Sequence, residues 1–272
     1  MFSSAAPPAV HDGHAVDRFV PIASLTKAVT GTVLIQMATA GTLTLDDPVE
    51  RWLPAVPGTG ITLRHLARHT SGLPRLPPGR LSRRDPYAAF DRPALDRLLP
   101  RLDGLAERPP GEEEEYSNLG YAVLGAALTT ASGMTYEELV TEHVLRPLNL
   151  TEITANPDPN RRLLPRGRLG RPRRPWTMTG AILPAGGLWA TPRAAADLVV
   201  RLLVERRLGE PAPSWQTAGP LHWHNGATRD ASIFAGGMDD GRWVMIHRLN
   251  APPEDTDRAG MEILKGAETI RR

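Results

Sequence analysis

The spacing of apolar positions indicates helices through about the first three quarters of the chain. The clearest is a long helix from about Ser24 to Gly41, in which Val29, Val33 and Met37 fall close to one face. Gly41 is suited to end this helix, because glycine readily adopts the left-handed conformation found at helix C-termini. Further helices are predicted from Asp46, at 63–69 behind the capping residue Thr62, and at 86–101, 118–132, 135–146 and 191–206.

The pattern changes towards the C-terminus, where strand-like segments replace helices. Three strands are predicted, at 222–226, 231–238 and 242–249. Asp239-Asp240-Gly241 joins the last two and is typical of a tight hairpin turn. A short strand is also predicted at 18–22, and a final helix at 254–270. This succession predicts an α+β fold, with an antiparallel sheet flanked by helices and an all-helical lobe at about 45–185.

Three segments show neither the helical nor the strand spacing of apolar residues and are predicted to be irregular. Residues 1–17 are small, polar and proline-rich, so we expect a loose tail before a single domain spanning 18–272. Residues 74–86 predict a loop. Segment 156–177 carries seven arginines and several prolines, which is typical of a long exposed loop; an anion-binding or partner-binding patch is the alternative. Aromatic residues are not interleaved with these arginines, so we expect no nucleic-acid partner.

Composition excludes several classes of chemistry. The 272 residues include no cysteine, so a thiol nucleophile, a disulfide and a cysteine-ligated metal are excluded. The net charge is only +2, and the pI of about 9.3 is high because few groups titrate between neutral pH and the pI. No segment predicts a membrane span, and the N-terminus lacks the features of a signal peptide. We therefore expect a cytoplasmic protein as the sequence stands, or a secreted or periplasmic one if the true start lies upstream.

The choice of basic residues points to a first candidate site. Of 32 lysines and arginines only Lys27 and Lys265 are lysines. A lysine can lose its proton and act as a base, which an arginine cannot do. Lys27 follows Ser24 by one helical turn, so the two side chains can meet at the positive end of a helix. Ser-x-x-Lys thus predicts a serine nucleophile activated by lysine, although the pattern alone also fits a capping serine beside a surface lysine.

Two further segments carry candidate chemistry. In Tyr116-Ser117-Asn118 the tyrosine can relay a proton and the asparagine can orient a carbonyl or the lysine; the alternative is a core tyrosine and a helix cap. In the segment His224-Asn225-Gly226-Ala227, Gly226 would let a substrate approach a strand edge closely. The N–H of Ala227 could then form an oxyanion hole with that of Ser24. The alternative is a plain strand end with a surface histidine.

Together the three motifs stand in the order found in the serine penicillin-recognising enzymes. The chain resembles the family of class C β-lactamases, D-alanyl-D-alanine carboxypeptidases and related esterases. The segments that also look like family sequence are 19–27, 43–49, 61–73 (ITLRHLARHTSGL) and 184–191 (PAGGLWAT). The resemblance thus covers roughly residues 18–250. The Gly-x-Ser-x-Gly motif of α/β-hydrolases is absent.

The resemblance implies an acyl-enzyme mechanism. Ser24 would attack a carbonyl, and Lys27 and Tyr116 would shuttle the proton. The backbone N–H groups of Ser24 and Ala227 would hold the oxyanion, and Asn118 would position the substrate. The implied substrate is a small-molecule or peptide ester or amide.

The resemblance also implies how this chain departs from β-lactamases. His224 would replace the lysine of the family's Lys-Thr-Gly motif. Because histidine is mostly neutral at pH 7, it gives no fixed positive charge for a β-lactam carboxylate. We therefore expect an esterase or a D-Ala-D-Ala carboxypeptidase-like hydrolase, ahead of a true β-lactamase. A non-catalytic binding module on the same fold is the alternative, in which the acidic turn Glu112–Glu115 crowds the site.

Other expectations concern the N-terminus and metals. Family members usually have a helix and two sheet strands before the nucleophile, whereas only 23 residues precede Ser24. The N-terminal strands are therefore predicted to be short or missing. His65 and His69 have the spacing of a zinc pair but lack the accompanying glutamate, so we expect no metal and no cofactor. The sequence gives no indication of oligomeric state.

Overall fold

The computed structural model describes residues 1–11, 13–54, 58–79, 82, 84–167 and 169–266. The α-helices of these residues are α1 (Thr26–Thr39), α2 (Leu63–Ala67), α3 (Arg92–Leu98), α4 (Asn118–Ser132), α5 (Tyr136–Val140), α6 (Leu183–Gly186), α7 (Pro192–Val199) and α8 (Pro253–Leu264). Single π-helical turns at Thr141–Leu145 and Val200–Val204 extend α5 and α7. Within the described ranges, none of the helices is long and apolar enough to cross a membrane.

The strands form two antiparallel sheets. They are β1 (Phe2–Ser3), β2 (Val20–Pro21), β3 (Ile153–Thr154), β4 (Trp189–Ala190), β5 (Gln216–Ala218), β6 (Leu221–Thr228), β7 (Ala231–Met238) and β8 (Trp243–Leu249). The larger sheet has the order β1-β8-β7-β6-β5, and the smaller one has the order β2-β4-β3. The predicted α+β class and the three C-terminal strands are confirmed, and β6 extends beyond its predicted bounds at both ends.

The N-terminal tail is less loose than predicted. Phe2 and Ser3 pair with Met245 and Val244 at the edge of the larger sheet, and the Phe2 side chain is buried in the main core. This part of the expectation for residues 1–17 was wrong. The segment is otherwise small and polar, but it contains one large apolar side chain, Phe2, which covers the edge of the sheet. The N-terminal strands are short, as predicted.

Several helix boundaries differ from the predicted ones. Ser24 lies in a 3-10 turn, Ala23–Leu25, and α1 begins only after it. The predicted helix 86–101 is shortened to α3, because Asp91 caps its N-terminus by accepting a hydrogen bond from the Ala94 N–H. For the predicted final helix 254–270, residues 267–270 lie outside the described residues.

The two faces of the larger sheet pack against different layers. Phe234, Val244 and Ile246 point to one side and form a small core with Ala259 and Leu264 of α8. Their neighbours along the strands point the opposite way, into the main core with α7 and the helices beyond it. This alternation follows from the period of two in a strand, and it decides which residues of β6 face α8.

Helix α1 lies at the centre of the main core. The sequence predicted one buried face, but the nine residues Thr26–Leu34 are all buried, so the helix is enclosed on every side along this stretch. Gly31 makes this enclosure possible, since a Cβ atom there would meet the Ser214 side chain. A helix surrounded in this way holds Lys27 away from solvent.

Helices α4 and α6 approach unusually closely beside α1. A Cβ atom on Gly125 of α4 would collide with Cγ of Pro184, the second residue of α6. The next residue, Ala185, presents its carbonyl oxygen to Lys27. The small residue in α4 therefore fixes how near α6 comes to the buried lysine.

We expect Gly125→Ala to lower the free energy of unfolding by about 1–3 kcal/mol, because the added methyl group overpacks the contact with Pro184. Gly104→Ala is the matched control, since nothing lies within 4 Å of a Cβ atom there. Urea unfolding of both variants measures the difference. Equal stabilities would show that α4 and α6 do not depend on this contact.

Candidate active site

Five of the predicted site residues line one cavity of about 490 Å³ between α1, α4 and β6: Ser24, Tyr116, Asn118, Gly226 and Ala227. Lys27 and His224 are buried beside them, with 0% and 1% of their surfaces exposed. The structure therefore brings together residues that lie up to about two hundred positions apart in sequence.

The nucleophile candidate Ser24 follows a strained residue. Ala23 has a φ of +45°, in the left-handed region that costs a non-glycine residue roughly 1–2 kcal/mol. Ala23 begins the 3-10 turn that follows β2, and its backbone conformation directs the chain so that Ser24 faces the cavity. Such strain is frequently found at functional sites, where the surrounding packing enforces it.

Lys27 is held by three polar atoms. Its Nζ lies 2.7 Å from Oδ1 of Asn118, 2.5 Å from the carbonyl oxygen of Ala185 and 3.4 Å from Oγ of Ser24. Burial, and then the nearby charge of Arg75, lower the pKa of Lys27 well below its ordinary value. A neutral amine has two N–H groups, which suit Asn118 and Ala185. Its lone pair then remains for the Ser24 hydroxyl.

Tyr116 approaches Ser24 from another side. Its hydroxyl donates a 2.6 Å hydrogen bond to Oγ of Ser24, and burial is the main cause that raises its pKa to about 12. The phenol therefore keeps its proton at neutral pH and can act as a donor. The buried ring of His69 packs against the Tyr116 ring, with 4.5 Å between the centroids.

Asn118 is bound at both ends of its amide. Oδ1 accepts from Lys27, and Nδ2 donates to the hydroxyl of Tyr87 at 2.7 Å. Helix α4 begins at Asn118 because Ser117 caps it, accepting from the Gly120 N–H. In this arrangement Asn118 orients Lys27, and its direct contact with substrate stays a prediction.

The edge of β6 supplies the second half of the candidate oxyanion hole. Thr228 pairs with Ala231 across a two-residue turn, and such a closing pair normally shares its hydrogen bonds. By alternation, the N–H of Ala227 points away from β7, towards the cavity. Gly226 lies against the nucleophile, since a Cβ atom there would be 2.7 Å from the Ser24 nitrogen. The backbone nitrogens of Ser24 and Ala227 thus lie at the same end of the cavity.

His224 is a buried neutral side chain. Its Nδ1 lies 2.7 Å from the carbonyl oxygen of Asn225, which places the ring proton on Nδ1. Burial is the main cause that lowers the pKa of His224 to about 3, and an ammonium at Lys27 would act in the same direction. The expectation of a surface histidine at a strand end does not fit this position, and His224 carries no positive charge at neutral pH.

Sequence reasoning missed several groups that complete the site. Ala185 acts through a backbone carbonyl, for which no residue type is diagnostic, although its segment 184–191 was noted as family-like. Arg75 lies in the segment 74–86, which was predicted only as a loop, and Tyr87 directly follows that segment. Asp257 lines the cavity from α8. The scarcity of tyrosine is a signal that could have pointed to Tyr87, since the chain has only four tyrosines.

The histidine pair and the acidic turn lie outside the catalytic chemistry. His65 accepts a hydrogen bond from the Thr62 N–H at the start of α2, whereas Nδ1 of His69 accepts one from the Ser117 N–H. Helix α2 ends at Ala67, which breaks the i, i+4 geometry. Within the described part of the chain, no group of three or more suitable side chains could hold a metal ion. Residues 112–114 are exposed, and none of the four glutamates lines the cavity.

Known proteins share this fold and sequence pattern. D-alanyl-D-alanine-carboxypeptidase/endopeptidase AmpH of Escherichia coli is 37% identical over 185 residues, covering 65% of this chain and 47% of AmpH. Penicillin-binding protein 4* of Bacillus subtilis is 36% identical over 146 residues, covering 53% of this chain and 31% of that protein. The chain thus spans less than half the length of these curated relatives.

A solved structure and a family profile extend the match. A β-lactamase/D-alanine carboxypeptidase from Yersinia pestis, solved with citrate, superposes with a TM-score of 0.75 at 21% identity, covering 93% of this chain and 85% of that one. The sequence profile of the Beta-lactamase family matches residues 10–250, which include every candidate site residue. The chain therefore belongs to the Beta-lactamase family.

Proposed function

We propose that this protein is a serine hydrolase that cleaves an ester or amide through an acyl-enzyme on Ser24. One observation carries the proposal: the buried amine of Lys27 and the hydroxyl of Tyr116 both contact Oγ of Ser24. Desolvation lowers the pKa of the Lys27 amine, which favours its neutral form, and raises that of the Tyr116 hydroxyl, which keeps its proton. A base and a proton donor therefore converge on one hydroxyl.

Acylation begins as Lys27 takes the hydroxyl proton and Oγ of Ser24 bonds to the substrate carbonyl carbon. The N–H groups of Ser24 and Ala227 stabilise the negative oxygen that forms. When the tetrahedral intermediate collapses, the bond to the leaving group breaks. The leaving group takes a proton from Tyr116, which regains one from the Lys27 ammonium. Water then attacks the Ser24 ester by the reverse sequence of proton transfers, which releases the acid and restores Ser24.

The electrostatics favour an esterase ahead of a β-lactamase, whereas the D-Ala-D-Ala carboxypeptidase-like activity is supported by the relative AmpH. His224 is neutral, so the strand beside the oxyanion hole offers no fixed cation to a β-lactam carboxylate. The relative AmpH is named a carboxypeptidase/endopeptidase, which agrees with amide cleavage. Trp176, Met178 and Leu76 give the cavity an apolar wall for an uncharged part of the substrate.

A non-catalytic binding module on the same fold is the competing proposal. Its motivation was crowding by Glu112–Glu115, and these side chains stay outside the cavity lining. The two proposals differ in whether Ser24 becomes covalently modified.

We expect wild-type protein to gain the mass of one acyl or phosphonyl group after treatment with an activated ester or a fluorophosphonate. Ser24→Ala should gain none, and its p-nitrophenyl ester turnover should fall by at least about 10³-fold, because the nucleophile is lost. Intact-mass spectrometry and initial rates measure these outcomes. Reversible binding without a covalent adduct on the wild type would favour the binding module.

Lys27→Arg should lower kcat/KM by at least about 10²-fold, although it keeps a basic side chain, because guanidinium does not release its proton. Lys265→Arg is the matched control, since it makes the same change at the exposed end of α8. Ester hydrolysis by both folded variants is the measurement. Comparable rates for the two would remove Lys27 as the base.

The pH dependence should report Lys27 alone. For an uncharged ester, kcat/KM should rise as Lys27 loses its proton and should level off well below pH 10.5, because burial lowers its pKa from that value. No falling limb is expected on the alkaline side below about pH 12, where Tyr116 titrates. A rising limb that disappears in His224→Gln but persists in Lys27→Arg would instead assign the base to the histidine.

A further inference from the structure

The catalytic cavity contains one acidic side chain that the acyl-transfer chemistry does not use. Asp257 of α8 lines the same cavity as Ser24 and Ala227. Its Oδ2 accepts a 2.7 Å hydrogen bond from Nδ2 of Asn225. Asn225 pairs with Phe234, which packs against α8, so this register directs the Asn225 side chain to the same side of the sheet. The carboxylate is therefore fixed beside the strand that carries the oxyanion hole.

This carboxylate has no cation of its own. Among the described residues no cation contributes to its pKa shift, and Asn225 is its one hydrogen-bond donor, so Oδ1 remains available. Burial and the nearby charge of Glu254 raise the pKa of Asp257, as expected for an acid without a counter-charge. A cationic ligand would supply the missing partner.

The neighbouring groups make this end of the cavity unsuitable for an anion. His224 is neutral, and the one basic side chain among the described lining residues, Arg75, lies on the Tyr116 side, with its Cζ 5.3 Å from that ring centroid. Asn225 precedes Ala227 by two residues, which is about 7 Å along a strand. A charged group bound at Asp257 would therefore lie only a few bonds from the scissile carbonyl.

We propose that Asp257 binds a primary ammonium group of the substrate, so that the enzyme prefers amine-bearing esters and amides to neutral or carboxylate-bearing ones of the same size. The inference rests on the proposed function, because it places the ammonium relative to a carbonyl at Ser24. It assigns the preference to α8, outside the three sequence motifs.

The test uses three p-nitroanilides of similar shape: those of β-alanine, butanoic acid and succinic acid, which are cationic, neutral and anionic. Wild type should favour the cationic over the neutral compound in kcat/KM, and Asp257→Asn should reduce that ratio by about tenfold through loss of a charge-assisted hydrogen bond. Glu254→Gln is the matched control, because it removes one negative charge three residues away without lining the cavity. Its ratio should stay near that of wild type.

A charge-reversal variant distinguishes a change in substrate preference from a loss of folded structure. Asp257→Lys should favour the succinic compound over the β-alanine compound, an inversion that a damaged site would not produce. If Asp257→Asn and Asp257→Lys both leave the wild-type order of the three compounds unchanged, the proposal is overturned.

Binding to the Ser24→Ala variant separates this inference from the proposed function. Calorimetry with the three anilides should show tighter binding of the cationic one, and adding Asp257→Asn should abolish that preference. This result together with an inactive wild type would support the ammonium site while contradicting the hydrolase. Hydrolysis with no dependence on Asp257 would leave the hydrolase and reject the ammonium site.

Discussion

The desolvated amine of Lys27 is the constraint on which the rest of the site depends. A charged ammonium at this depth would cost several kcal/mol without a paired anion, and its contacts are the neutral oxygens of Asn118, Ala185 and Ser24. The neutral form fits these partners, with two donors used and one lone pair left. Three elements must therefore meet at one atom: the start of α4, the backbone of α6 and the turn before α1. Their convergence favours the neutral form of Lys27 that its proposed role as a base requires.

Close backbone approach is how the fold achieves this convergence. Gly125 lets α6 lie against α4, which brings the Ala185 carbonyl to Lys27. Gly226 lets β6 lie against the Ser24 nitrogen, which brings the two proposed oxyanion donors to one place. In both cases a single added carbon would collide with the neighbouring segment. Core packing and the geometry of the candidate site are therefore set by the same contacts.

The sequence predicted the reactive side chains of the site better than the groups that hold them in place. Ser24, Lys27 and Tyr116 stand in motifs whose residue types follow from the chemistry, and the structure brings them together. The Ala185 carbonyl has no such signature, because every residue possesses one. Tyr87 falls at the start of the predicted helix 86–101, next to the predicted loop 74–86, and nothing in its local pattern indicates a contact with Asn118. Likewise, the pairing of Phe2 with β8 depends on a strand more than two hundred residues away, which local composition does not reveal.

The groups proposed to transfer protons are almost uncharged at rest, whereas the charged side chains of the cavity lie beside them. Ser24 and His224 are neutral, Lys27 is favoured in its neutral form, and Tyr116 holds its proton. Charge therefore develops mainly during the reaction, where fixed N–H dipoles can stabilise it without reorganising. The permanent charges of the cavity, Arg75 and Asp257, lie outside the proton-transfer groups. Because the charge of Arg75 also lowers the pKa of Lys27, Asp257 is the position at which a substitution is expected to change substrate selection without altering the proposed base.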